Sequence, residues 1–104
     1  MKRSEKSFYY DKRDISLRHS FGIKPEARPK PLPKNSIVKE FSDSFINDKG
    51  EEVKSLYRLA VINGEVYLEA GWAGFRPLTS HQVRAYKKVN GFALAYGVKP
   101  ALIS

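Results

Sequence analysis

The chain has 104 residues, a net charge of +8 and no cysteine. That length holds one domain with a small core, the missing cysteines exclude a disulfide framework and any thiolate metal site, and no apolar run approaches the roughly 18 residues a membrane span needs. A soluble, cytoplasmic protein with no membrane partner is the expectation.

The charge is unevenly placed. Residues 1–34 carry ten Lys/Arg against four Asp/Glu, residues 35–70 carry four against seven, and residues 71–104 carry five with no acid. A chain that reads basic, mildly acidic, basic predicts an anionic partner for its two ends.

In residues 1–24 the cations, among them Lys12, Arg13 and Arg18, alternate irregularly with Phe8, Tyr9, Tyr10 and Phe21. No helical or strand period is sustained there, so nothing in the segment builds a core alone. Pro25, Pro29, Pro31 and Pro33 follow, and such spacing favours an extended polyproline II spacer. The expected organisation is a flexible basic and aromatic arm over residues 1–34 and a folded domain over residues 35–104.

Asn63-Gly64 lies between two alternating runs and suits a two-residue type I′ turn, which requires positive φ at both positions. This turn sets Val61 against Val66, Leu59 against Leu68 and Tyr57 against Ala70 on one face, with Ala60 against Tyr67 and Arg58 against Glu69 on the other. Asn47-Asp48-Lys49-Gly50 suits a type I turn closed by glycine and pairs Phe45 with Val53 and Phe41 with Tyr57. Glu40 then comes beside Arg58. Residues 72–77 read as loop. Thr79 or Ser80 caps a helix that runs to about Tyr96, with Ala85, Val89, Phe92, Ala93 and Tyr96 as its apolar stripe and Gly97 and Pro100 ending it. Gly91 allows a break near Asn90-Gly91. The fold class expected is α+β: a three-stranded antiparallel β-meander packed against one C-terminal helix, with an extended basic N-terminal arm.

Little in the sequence nominates catalysis. His19 and His81 are the only histidines, and neither has a metal-ligand neighbour at a productive spacing. No Walker-type loop, GxGxxG fingerprint or GxSxG elbow occurs. No enzyme, metal or cofactor is expected. The chemistry instead gathers on the helix and the loop before it, where His81, Arg84 and Lys88 fall at i, i+3 and i+7 with Lys87 beside them. Arg76 precedes the helix and Phe75 offers a ring, whereas Trp72 falls in phase with the sheet core. Such residues suit phosphate oxygens and an unstacked base. The order of elements is similar to that of DNA binders that read the groove with a three-stranded sheet, but Glu40, Glu52 and Glu69 on the outer sheet face would repel phosphates.

The function expected is therefore a small basic nucleic-acid-binding module. It would contact DNA or RNA through Lys12, Arg13 and Arg18 of the arm and through Phe75, Arg76, His81, Arg84, Lys87 and Lys88. The alternative is a protein-interaction regulator or inhibitor whose arm wraps an acidic protein or ribonucleoprotein partner.

Overall fold

The computed structural model describes residues 8–12, 29–70 and 74–103. Among these residues the chain forms strands β1 (Phe8–Tyr9), β2 (Lys30–Pro31), β3 (Ile37–Ile46), β4 (Glu52–Ile62), β5 (Glu65–Glu69), β6 (Phe75–Arg76) and β7 (Lys99–Pro100), with helices α1 (Ser80–Ala85) and α2 (Lys88–Ala95) between β6 and β7. The strands make one mixed sheet in the order β2-β1-β6-β5-β4-β3, with β7 also on β5. The pairs β1–β6 and β5–β7 are parallel and the others antiparallel.

The central meander has the register the turns dictate. Val61 faces Val66, Leu59 faces Leu68 and Ala60 faces Tyr67, while Phe45 faces Val53, Phe41 faces Tyr57 and Glu40 faces Arg58. Asn63 and Gly64 have φ of 52° and 80°, as a type I′ turn demands. At the other turn Gly50 has φ 80° and the Asn47 carboxamide accepts the N–H groups of Lys49 and Glu51 at 2.9 and 3.0 Å. This side-chain loop closes the hairpin where backbone pairing stops.

A three-stranded meander on one helix is nevertheless not the fold. The sheet has seven strands, and two short helices replace the single long one. Four of those strands are two residues long, too short for any period to be seen in the sequence, and Pro31 and Pro100 sit in two of them, where proline is tolerated away from a central ladder.

The helix divides at Tyr86, five residues before Gly91. Thr79 accepts the Gln82 N–H at 3.1 Å while the Gln82 side chain accepts the Thr79 N–H at 3.0 Å, a reciprocal cap for α1. Tyr86 then turns extended, with ψ 99°, and lays its ring 4.7 Å from that of Tyr57. The two N–H groups after it leave the helical ladder for the sheet: Lys87 donates to Asp43 Oδ2 at 3.0 Å and Lys88 to the Tyr57 hydroxyl at 3.2 Å. Aromatic burial and two outside acceptors thus fix the break at Tyr86. At the far end Gly97, with φ 64°, lets the Val98 N–H reach Ala93 and the Gly97 N–H reach Leu94, a Schellman closure. The chain then returns as β7, and Leu78 exchanges backbone hydrogen bonds with Ala101 and Ile103.

Both faces of the sheet are packed. Between the sheet and the helices, Tyr57, Leu59, Val61, Val66, Leu68 and Leu78 pack with Val89, Phe92 and Ala93 of α2. The opposite face, expected to be an outer surface, buries Ala60, Ile62, Tyr67 and Phe75 beneath Tyr9 and Ala101, with Leu32 packed against them. Tyr9 is edge-on to Tyr67 at 5.4 Å, and its hydroxyl accepts the Asn63 carboxamide at 3.1 Å. Residues 8–12 and 30–32, read from the sequence as part of an extended arm, therefore belong to the folded body. Their aromatic and apolar side chains supply the cover that Ala60, Ile62 and Tyr67 need. Among the described residues no helix is long and apolar enough to cross a membrane.

Candidate functional site

The inner face of β3 alternates Ile37, Lys39, Phe41, Asp43 and Phe45. Lys39 and Asp43 interrupt a row in which Ile37 and Phe41 pack beneath the helices and Phe45 stays half exposed, and each has a consequence. Asp43 is consumed internally: one carboxylate oxygen accepts the Tyr57 hydroxyl at 3.0 Å and the other the Lys87 N–H. Burial pushes the Tyr57 hydroxyl up to about 12, partly offset by the Lys88 N–H that it accepts and reinforced by Asp43. This junction anchors the start of α2 over β3.

Lys39 is exposed at the mouth of a cleft of about 560 Å³ between β3 and α2. Phe41, Phe92, Ala95 and Tyr96 line its apolar part, Lys39, Lys87 and Lys88 its cationic part, and Gly91 leaves one wall bare. Phe92 stands edge-on to Phe41 at 5.3 Å and to Tyr96 at 5.1 Å, and Tyr96 remains 38% exposed. No carboxylate lines the cleft. Among the described residues none lies within ion-pair distance of Lys39, Lys87 or Lys88, the pairs present being Lys12–Glu65, Lys30–Asp11 and Arg58–Glu69. The arrangement offers an aromatic edge beside three uncompensated ammonium groups, which is the chemistry of a site for a flat ring carrying negative charge.

Of the residues singled out in the sequence, Lys87 and Lys88 meet at this cleft. His81 and Arg84 are exposed on α1, separated from them by the break at Tyr86. Arg76 is exposed on β6 and holds its guanidinium 4.7 Å from the Tyr10 ring centre. Phe75 is fully buried and covered by the Arg58 guanidinium at 5.9 Å, so its ring has no face to offer. Lys12 is ion-paired with Glu65 beside a second cavity of about 260 Å³, whose lining of Asp11, Lys12, Asn63, Glu65 and Tyr67 carries both signs of charge. Arg13, Arg18 and Trp72 lie outside the described residues. Lys39, Phe41 and Tyr96 were not picked out as site residues by sequence reasoning, although the phase of β3 carries the signal: a lysine on the face that ought to be wholly apolar.

Comparison with family models, with curated proteins and with solved structures finds no match. Among the described residues no three His, Cys, Asp or Glu side chains gather into a metal-binding group.

Proposed function

We propose that the chain is a small basic nucleic-acid-binding module whose contact surface is centred on the cleft between β3 and α2. The observation that carries this reading is the set of three lysines, Lys39, Lys87 and Lys88, held without a carboxylate partner among the described residues around an aromatic cleft. Ammonium groups so placed suit successive phosphates, and the exposed Tyr96 ring gives an unpaired base something to stack on. A single strand is favoured over a duplex, because only an unpaired base can reach that ring. Arg84 on α1 and Arg76 on β6 add to the same sign of field.

Fluorescence anisotropy with duplex DNA, single-stranded DNA and RNA of equal length, each at several salt concentrations, tests the reading. Three phosphate contacts give a slope of log K against log salt of roughly −2 for single strands, and Lys87→Ala or Lys88→Ala each lowers its magnitude by about one contact. Tyr96→Ala weakens single-strand binding by about 1–3 kcal/mol. Gly91→Glu places a carboxylate where a side chain meets nothing within 4 Å, and abolishes binding without disturbing the fold. No binding at low salt, or binding indifferent to Gly91→Glu, defeats the proposal.

The reading as a regulator that wraps an acidic protein with its arm is favoured less. Tyr9 is already buried and Lys12 already paired within the chain's own fold.

A further inference from the structure

The outer edge of β3 is ten residues long, ends the sheet order and pairs with no strand among the described residues. The Asn47 N–H donates to the Glu51 carbonyl, and the register continues without a bulge from Ile46↔Glu52 to Ile37↔Val61. The odd-numbered residues of β3 therefore bond to β4, and Val38, Glu40, Ser42, Ser44 and Ile46 turn their N–H and C=O groups outward. An edge of this length with Val38, Phe45 and Ile46 exposed at 38, 50 and 65% is a template for another strand.

We propose that the partner is β3 of a second copy, paired antiparallel about a two-fold axis through Phe41. Charge selects the register. Like faces and outward peptide groups can match only when the two-fold axis passes through a residue of the strand. Centring on Glu40 or on Asp43 sets two like carboxylates against each other. Centring on Ser42 sets Lys39 against Phe45 and leaves Asp43 against Phe41. Centring on Phe41 sets Lys39 against Asp43 of the second copy twice, Ile37 against Phe45 twice and Phe41 against itself. Asp43 keeps lone pairs for that lysine beyond the two hydrogen bonds it already accepts. The charged residues that ordinarily keep an edge from pairing here specify one pairing. The inference rests on the edge and its register; because Lys39 pairs with Asp43 of the second copy in this dimer, the nucleic-acid surface proposed above would then keep Lys87 and Lys88.

Sedimentation velocity over a concentration series tests it, at about 0.15 M salt so that the repulsion of two +8 chains is screened beyond about 8 Å. The expected result is a mass that rises to that of a dimer. Lys39→Asp puts like charges opposite each other in both pairs, and Ser42→Pro removes an outward-facing donor while leaving the ladder to β4 intact, so both variants stay monomeric with unchanged circular dichroism. Because the chain has no cysteine, single cysteines report the register: Phe41→Cys crosslinks to its own copy on mild oxidation and Val38→Cys does not. A wild-type chain that stays monomeric at every concentration overturns the proposal. So does a dimer that survives both Lys39→Asp and Ser42→Pro, or one in which Val38→Cys crosslinks as readily as Phe41→Cys.

Discussion

One oxygen, the hydroxyl of Tyr57, joins β4, β3 and the start of α2 by donating to Asp43 and accepting from Lys88. Tyr57→Phe keeps the ring against Tyr86 and removes both hydrogen bonds, so the expected loss is about 1–2 kcal/mol of unfolding free energy, read from urea midpoints. The same hydroxyl predicts an alkaline limit. Burial raises both Tyr57 and Tyr67 from 10.0 to about 12. A raised folded-state value means that the stabilisation is complete below pH 10, where both states hold the proton. It is lost as pH climbs from 10 towards 12, where the unfolded chain releases the proton first. Stability should therefore fall across that window, and Tyr57→Phe or Tyr67→Phe should each flatten the decline. Among individual residues the sequence made pairs within one sheet legible: Arg58 does bond both oxygens of Glu69 at 2.8 Å, as the Asn63-Gly64 turn required. It could not show that Phe75 would be enclosed, because Tyr9 and Ala101, which complete its cluster, come from distant segments with no period of their own.

At the scale of elements, legibility followed length. The strands β3, β4 and β5, of ten, eleven and five residues, carried enough alternation for both turns to be placed with their pairings. Part of the helical stripe was also visible, since Val89, Phe92 and Ala93 are buried while Ala85 and Tyr96 are exposed, but the division of the helix at Tyr86 depends on acceptors from β3 and β4 that no local pattern encodes. The two-residue strands depend wholly on docking. Gly74, with φ 97°, permits the closest of these approaches: a Cβ there would stand 2.7 Å from the Phe8 ring and 2.8 Å from its carbonyl oxygen. Gly74→Ala should displace β1 from β6 at a cost of roughly 1–3 kcal/mol. Hydrogen exchange at Tyr10, whose N–H bonds to Phe75, should then become fast. Protection that survives the substitution would mean that β1 holds without this approach.

For the whole molecule, the sheet has two cores rather than one core and a wet face. Composition alone hinted at this, because Ala60, Ile62 and Tyr67 on the supposed outer side are poor residues for solvent, yet nothing local said that Tyr9 and Leu32 would cover them. Removing residues 1–34 should therefore do more than weaken a binding arm. Withdrawing a buried tyrosine and a leucine forfeits roughly 3–6 kcal/mol of apolar burial, a large share of the few kcal/mol by which small domains are stable. The shortened chain should bind a hydrophobic dye and lose its cooperative thermal transition; a sharp melt near that of the full chain would show that the second core is dispensable.

The way both ends are stitched to the middle has a consequence for synthesis on the ribosome. Residues 8–9 pair with residues 30–31 but meet their second neighbour only at residue 75, and Leu78 bonds to residues 101 and 103. The nascent polypeptide can close the β3–β4–β5 hairpins during elongation, but Ala60, Ile62 and Tyr67 stay partly uncovered until residues 75 and 101 have been made. The sealing of that greasy surface thus trails the closing of the hairpins, a delay that long-range strand pairing imposes.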